Sequence, residues 1–103
     1  MRKIAILMST YNGERYINQQ IDSILNQESV DVHLFIRDDG STDRTIEILK
    51  QYAALDNVSV IYGKNIGVIR SYEKLIINAP KGYRYYDVSL FVLYGTNTVL
   101  KEK

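Results

Sequence analysis

The densest cluster of chemically capable side chains is the run from Asp38 to Asp43, in which two adjacent aspartates precede a glycine and two hydroxyl residues. Adjacent carboxylates at a strand end can accept hydrogen bonds from a sugar hydroxyl or from the imide N–H of a base. Gly40 permits a backbone conformation that other residues resist. The same residue types also form ordinary turns and helix caps, so composition alone leaves both interpretations open. Two acids in a row at the mouth of a parallel sheet favour ligand binding.

Two further polar clusters follow apolar runs. In the first, Ser9 to Gly13, Tyr11 is suited to stack against a flat base, and the alternative is a simple strand-to-helix turn. The second, Lys64 to Gly67, is followed by Arg70. An arginine there can pair with a phosphate through two parallel hydrogen bonds, although a lone helix arginine is more often only solvated.

Several other chemistries lack their residues. The chain has no cysteine, which excludes disulfides, thiolate zinc sites and cysteine nucleophiles. Neither a Gly-x-Gly-x-x-Gly motif after the first strand nor a P-loop pattern is present, which argues against dinucleotide binding and against a kinase or ATPase. His33 is the single histidine and lies in a predicted strand, so we interpret it as structural. Four tyrosines are predicted to pack against the sheet: Tyr83, Tyr85, Tyr86 and Tyr94.

The elements that must position these clusters alternate along the chain. Short apolar runs predict parallel strands over residues 4–8, 32–36, 58–62 and 88–94. Helical spacing of apolar residues between them predicts three helices, marked by Ile17, Ile21, Ile24 and Leu25, by Ile46, Leu49, Tyr52 and Ala53, and by Ile69, Tyr72, Leu75, Ile76 and Ala79. The second helix is predicted to begin near Ser41 or Thr42, either of which can cap it.

This order predicts an α/β fold with a mostly parallel, Rossmann-like sheet and helices on both faces, connected by right-handed crossovers. Ligands of such sheets bind beyond the carboxyl ends of the strands. Because each polar cluster follows a predicted strand, all three should line the same edge. That convergence is the functional signal that the residues themselves carry.

Length and composition indicate one small globular domain over residues 1–103. Hydrophobic residues make up 46% and charged residues 24%, and the net charge is +1. A charge this small provides no strong field for nucleic acid or an anionic membrane, so we expect no nucleic-acid partner. The apolar run Ile4 to Met8 is too short for a signal-peptide core or a membrane span. We therefore expect a cytoplasmic protein, acting at the inner face of the membrane through parts outside this chain.

The clusters resemble the family 2 glycosyltransferases, which have the GT-A nucleotide-diphospho-sugar transferase fold. The matching stretches are residues 6–13, 20–27, 37–43 and 65–67, in the family's order and spacing. The particular similarity is to bacterial enzymes of surface-polysaccharide synthesis, including rhamnosyltransferase-like members. It implies transfer of a sugar from a nucleoside-diphosphate sugar, UDP- or dTDP-linked, to an acceptor hydroxyl with inversion.

The resemblance also implies roles for individual residues. The nucleotide-binding set would be Thr10, Tyr11, Asn12, Asp38, Asp39, Gly40, Ser41, Asn65, Gly67 and Arg70. Tyr11 would lie beside the base, and Asp38 or Asp39 would accept a hydrogen bond from the base or ribose. Asn65, Gly67 and Arg70 would shape the floor of the nucleotide pocket.

The sequence departs from the family pattern after about residue 81. The family binds a divalent cation, manganese or magnesium, through an Asp-x-Asp pattern at the end of the fourth strand. Here Asp87 is the only acid between residues 83 and 95, and it precedes the apolar run. Truncation of the gene product and a frameshift after about residue 81 both fit this departure. We therefore expect a truncated GT-A fold with an incomplete metal site, no catalytic residue of its own, weak nucleotide binding at best and no transfer activity. A sheet that ends early exposes an edge strand, which predicts a homodimer through that edge.

Two alternatives come from other functional classes. The first is a nucleotide-binding or interaction module that never catalyses, which the missing acids favour. The second is a phosphorylation-switch receiver domain, which also clusters aspartates on a parallel sheet. Its acids should be divided between the first and third strand ends, whereas here they cluster after the second.

Overall fold

The computed structural model describes residues 2–78, 88–94 and 98–102. The elements are β1 (Arg2–Tyr11), α1 (Ile17–Leu25), β2 (Val30–Asp39), α2 (Thr45–Tyr52), β3 (Val58–Gly63), α3 (Val68–Ile77), β4 (Val88–Tyr94) and β5 (Thr98–Glu102). The predicted alternation of four strands and three helices is confirmed. The fifth strand was not predicted, because its five residues lack a continuous apolar run.

The strands form one sheet in the order β3-β2-β1-β4-β5. β1 pairs in parallel with both β2 and β4, and β2 pairs in parallel with β3. Among the described strands, only β4 and β5 pair in an antiparallel manner. The fold is therefore the Rossmann-like α/β arrangement that the element order predicted, with β1 at its centre.

The central strand is apolar on both faces because both are covered. Ile6 and Met8 pack with residues of α1 and α2 in the main core. Ser9 has the opposite orientation and bonds to Ser71 of α3, so Ala5 and Leu7, which share its parity, face α3. All four apolar residues of β1 between positions 5 and 8 are buried. The predicted arrangement of helices on both faces is thus confirmed.

The main core lies between the sheet and the pair α1 and α2. Its buried residues are Ile6, Met8, Ile17, Ile21, Ile24, Val32, Leu34, Ile36, Leu49 and Val58. The α1 members recur at helical spacing, as predicted. Truncating a fully buried isoleucine such as Ile21 to alanine would cost about 2–5 kcal/mol of stability.

α3 follows the predicted helix but not the buried face that its apolar residues suggested. The residues it buries are Ser71 and Leu75, while Ile69 and Ile76 are 76% and 57% exposed. Ser71 is buried because polar groups of β1 and β2 meet it from the sheet. Ala79 lies outside the described residues.

The ends of β1 and β2 and the start of α2 differ from the predictions. β1 and β2 extend beyond residues 8 and 36 to Tyr11 and Asp39, so the polar residues at their ends remain in paired strand. α2 begins at Thr45 without a side-chain cap, so the predicted capping by Ser41 or Thr42 is wrong. Ser41 instead bonds to Asp38, and the amide of Thr42 bonds to Asn12.

Within the described part of the chain, no helix has the length and apolar character needed to cross a bilayer.

Candidate functional site at the carboxyl edge of the sheet

The three polar clusters predicted to converge do so in the structure. We call the connections after β1, β2 and β3 loop 1 (residues 12–16), loop 2 (residues 40–44) and loop 3 (residues 64–67). The amide of Asn12 in loop 1 donates to Ser41 Oγ in loop 2 at 2.9 Å. Asn65 Nδ2 in loop 3 donates to the carbonyl of Asp39, immediately before loop 2, at 3.1 Å. Loop 2 therefore links the other two loops along one edge.

Asp38 lies on the sheet face that carries α1 and α2, beside Thr10 in the paired register. Its Oδ1 accepts hydrogen bonds from Thr10 Oγ1 at 2.9 Å and from Ser41 Oγ at 2.6 Å. Its Oδ2 accepts from the Ser41 amide at 2.8 Å. Asp38 is fully buried, so its carboxylate primarily fixes the start of loop 2 against β1.

Asp39 faces the opposite side of the sheet, because successive residues of a strand alternate. Its carboxylate accepts from two amides of loop 3, Ile66 at 2.8 Å and Gly67 at 3.1 Å. It also pairs with Arg37 Nη1 at 2.8 Å. The two adjacent aspartates thus hold different loops on different faces, although the sequence suggested a single paired site.

Arg37 is an almost fully buried cation on the α3 face, 5% exposed. Besides Asp39, its Nη1 donates to Ser71 Oγ at 2.9 Å, and its Nη2 donates to the carbonyl of Lys64 at 3.1 Å. Gly63 lies directly under the guanidinium, and a Cβ at that position would approach Arg37 Cζ to 2.7 Å. The guanidinium can occupy this position only because residue 63 has no side chain.

Asn12 fastens loop 1 to loop 2 from both its backbone and its side chain. Its Oδ1 accepts from the amides of Thr42 at 2.7 Å and Asp43 at 3.3 Å, in addition to the amide bond to Ser41. Its φ is +48°, in the left-handed region that asparagine tolerates better than most residues. Asn12 therefore positions the end of β1, where Tyr11 lies.

The next amides of loop 1 are also bound by side chains, one from loop 2 and one from the first residue of α2. Gly13 N donates to Thr45 Oγ1 at 2.9 Å, and Glu14 N donates to Asp43 Oδ2 at 3.2 Å. Partial burial opposes ionisation of Asp43, but its hydrogen bonds from Thr45 and Glu14 outweigh that effect and lower the pKa of its carboxyl group. The first turn before α1 is thereby held in one conformation.

The side chains at the rim of this edge are those of Tyr11, Tyr62, Asn65 and Arg70. Tyr11 is partly buried, and Asn65 and Arg70 are exposed. Tyr62, the next-to-last residue of β3, lies beside Asp38 in the register and is 44% exposed. Partial burial and then the Asp38 charge raise the pKa of the Tyr62 hydroxyl. An aromatic rim over a rigid polar floor is suited to a flat, hydrogen-bonding ligand such as a nucleoside.

The two buried acids do not form a cation site together. Asp38 and Asp39 face opposite sides of β2, and each already binds protein donors. Among the described residues, no group of three or more histidine, cysteine or acidic side chains is placed to hold a metal ion. Asp87, the acid singled out from the sequence, lies outside those residues, as do Tyr83, Tyr85 and Tyr86.

Sequence reasoning assigned no role to Arg37, Gly63, Ser71 or Tyr62. A buried arginine and serine have no periodic signature, and a glycine at a strand end suggests only a turn. His33 bonds to Ser59 Oγ at 3.1 Å and stacks on Phe35 with ring centroids 4.2 Å apart, as a structural residue would. Burial lowers the pKa of His33, and the Asp31 charge acts in the opposite direction.

Comparison with known proteins provides the family. The model of glycosyl transferase family 2 matches residues 5–91. The chain is 38% identical over 73 residues to RfbG, a dTDP-rhamnosyl transferase of Shigella flexneri. The aligned segment makes up 67% of this chain and 25% of that protein. It is 35% identical over 80 residues to a chondroitin synthase of Pasteurella multocida, covering 78% of this chain and 8% of that protein.

A third relative, an uncharacterized glycosyltransferase of Haemophilus influenzae, is 51% identical over 49 residues, or 48% of this chain and 20% of the relative. The chain thus spans a quarter or less of the length of these relatives. The family match covers β1 from residue 5, β2, β3, all three loops and the rim described above, and it ends within β4. The chain belongs to glycosyl transferase family 2.

Proposed function

We propose that this chain forms the donor-binding part of an inverting glycosyltransferase and that its edge of three loops receives a nucleoside-diphosphate sugar. The observation that carries the proposal is the mutual fastening of these loops at the carboxyl ends of β1, β2 and β3. Side-chain acceptors fix the loop amides before any ligand arrives, so the ordering cost of binding is reduced. Membership of glycosyl transferase family 2 makes a sugar nucleotide the matching ligand class.

Asp38 is the better of the two acids for contact with the base or ribose. A carboxylate offers about four acceptor sites, and Asp38 receives three hydrogen bonds from Thr10 and Ser41. Because Asp38 is fully buried, the ligand reaches it only when the Ser41 side chain turns aside. Asp39 serves loop 3 instead, so its contribution to binding is indirect.

The names of the relatives suggest a donor sugar and a biological role, and both are proposals for this chain. One relative is named a dTDP-rhamnosyl transferase and another a chondroitin synthase. We propose a dTDP- or UDP-linked donor and a role in surface-polysaccharide synthesis. Family 2 enzymes generally use a divalent cation, which when bound neutralises charge on the leaving diphosphate. The described residues do not fit such an ion, so no step is assigned to it here.

Calorimetric titration with deoxythymidine diphosphate and with uridine diphosphate tests the proposal, each with and without manganese. We expect binding of at least one nucleotide, and failure of both to bind would refute a donor site. Arg70→Ala should weaken binding, because the positive charge at the rim is lost. Lys74→Ala is the matched control, since it removes an exposed cation one turn further along the same helix.

The second candidate is a nucleotide-binding module without transfer activity. Asp38 and Asp39 favour it, because both buried acids at this edge are bound to loop donors and neither is placed to deprotonate an acceptor. We propose that the 103-residue chain alone transfers no sugar. Turnover of a nucleoside-diphosphate sugar by this chain would contradict that statement.

We also propose a homodimer that forms through an exposed edge of the sheet. Among the described strands, β3 and β5 occupy the two ends of the sheet, and each presents unpaired backbone groups to one side. We propose pairing of two copies through β5. Light scattering at high concentration should then give twice the monomer mass, and a monomer would exclude the pairing.

A further inference from the structure

We propose that Arg37 is a positioning residue for the donor pocket, acting through Asp39 to hold loop 3 in its binding conformation. The inference rests on the proposed function, because the pocket it serves is the donor site. Arg37 lies beneath that pocket, on the α3 face, and is 5% exposed. It therefore acts on the ligand through the loop and does not touch it.

The guanidinium joins three parts of the chain directly and a fourth through Ser71. Nη1 donates to Asp39 at the end of β2 and to Ser71 in α3, and Nη2 donates to the Lys64 carbonyl at the start of loop 3. Ser71 in turn accepts a hydrogen bond from Ser9 of β1 at 2.6 Å. The guanidinium and Ser71 thus link β1, β2, loop 3 and α3.

Loop 3 is held at both of its ends by this arrangement. Its first carbonyl, of Lys64, accepts from Arg37 directly. Its last two amides, of Ile66 and Gly67, donate to Asp39, whose charge Arg37 balances. A buried carboxylate without its cation is strongly destabilised, so loss of Arg37 removes both the direct and the indirect support.

Arginine suits this position better than lysine does. A planar guanidinium presents donors in fixed directions, whereas an ammonium group is a compact point charge. Arg37 uses one nitrogen for the carboxylate and the serine and the other for the carbonyl. Lysine can retain the ion pair with Asp39 but cannot reproduce that spacing of donors.

Gly63 provides an independent way to disturb the same contact. A Cβ at residue 63 would lie 2.7 Å from Arg37 Cζ, closer than real side chains approach. Gly63→Ala should therefore displace the guanidinium without removing its charge. If Arg37 positions loop 3, this variant and the arginine variants should share one phenotype.

The test compares Arg37→Met, Arg37→Met with Asp39→Asn, Arg37→Lys and Gly63→Ala. The measurements are melting temperature, amide hydrogen exchange and affinity for deoxythymidine diphosphate and uridine diphosphate. Arg37→Met should lose about tenfold in nucleotide affinity and in the protection of the Ile66 and Gly67 amides. The amides of Gly13 and Ser41, which other side chains hold, should keep their protection.

The double variant separates positioning from simple stability. It removes the unbalanced buried charge, so its melting temperature should recover most of the loss seen in Arg37→Met. Its nucleotide affinity should stay about tenfold low, because the Lys64 carbonyl is still unsupported. Arg37→Lys should recover part of the affinity. Ile24→Ala, a change in the core on the sheet face opposite Arg37, is the control for loss of stability alone.

Recovery of full affinity in the double variant would overturn the inference, as would an affinity loss in Arg37→Met no larger than that in the comparably destabilised Ile24→Ala. If the wild-type chain binds neither nucleotide, both the proposed function and this inference fail. If the wild type binds and the Arg37 variants bind equally well, the inference alone fails. The two failures are therefore distinguishable in one set of titrations.

Discussion

Gly40 lies in loop 2 at its close approach to Asn65 of loop 3. Gly40→Ala tests whether this close approach is essential for stability. The residue has a φ of +76°, and a Cβ built on it would lie 2.7 Å from the backbone nitrogen of Asn65. Positive φ costs alanine about 1–2 kcal/mol. Displacing Asn65 also breaks its bond to the Asp39 carbonyl, worth about 1 kcal/mol.

Together these terms predict a loss of about 2–3 kcal/mol in the free energy of unfolding. Urea denaturation followed by circular dichroism measures it, and the midpoint should fall by about 1 M. A loss below about 1 kcal/mol would refute the reasoning, since the strain of positive φ alone should exceed it.

Gly40→Asn is the matched variant that separates the two causes. Asparagine tolerates positive φ, so the conformational cost falls, but its Cβ meets Asn65 as the alanine Cβ does. We expect it to remain less stable than the wild type and to bind nucleotide more weakly, because Asn65 moves. Wild-type stability and affinity in Gly40→Asn would show that the approach of the two loops is not tight.

Three further predictions concern the loops and helices around the site. Burial and a hydrogen bond to Asp22 raise the pKa of Tyr52 to about 12, above the value near 10 in an unfolded chain. The protonated Tyr52 hydroxyl therefore stabilises the folded state fully below pH 10, and this contribution is lost as the pH rises through 12. Unfolding titrations of Tyr52→Phe should show a weaker pH dependence in that window than the wild type, and identical slopes would contradict this. Asn12→Gly keeps the positive φ but removes the side-chain acceptor, so it should lose about 1–2 kcal/mol in urea denaturation, and Asn12→Ala should lose more because φ is +48°. Glu47→Gln removes an exposed ion pair with Arg44 at 3.4 Å and should change stability by less than about 0.5 kcal/mol, and a larger loss would mean that the pair is part of a network.

The fold was predictable because its signals are local and repeated. The apolar runs of β1 and β2 and the helical spacing of Ile17, Ile21 and Ile24 each specify an element without reference to the rest of the chain. Strand ends were less accurate, because pairing extends β2 through Arg37 to Asp39, whose polar side chains carry no strand signal. The buried face of α3 was not predictable either, since Ser71 is buried only in response to Arg37 and Ser9.

The location of the candidate site was predictable from the sequence, but the separate roles of its residues were not. Convergence of the three polar clusters follows from parallel strands alone, and the structure places them together. Adjacent aspartates suggested one shared ligand, whereas strand alternation sends Asp38 and Asp39 to opposite faces. Apart from the ion pair of Arg37 with Asp39, the contacts by which Asn12 and Arg37 fasten the loops join residues more than 25 apart in sequence. No local pattern reports such contacts.

The central position of β1 has a consequence for synthesis of the chain on the ribosome. Ala5 pairs with Val88, so one edge of β1 has no partner strand until residues more than 80 positions further along the chain have been synthesised. At ordinary elongation rates that interval lasts about 4–16 seconds. During it β1 is an apolar edge strand, which can pair with other nascent chains.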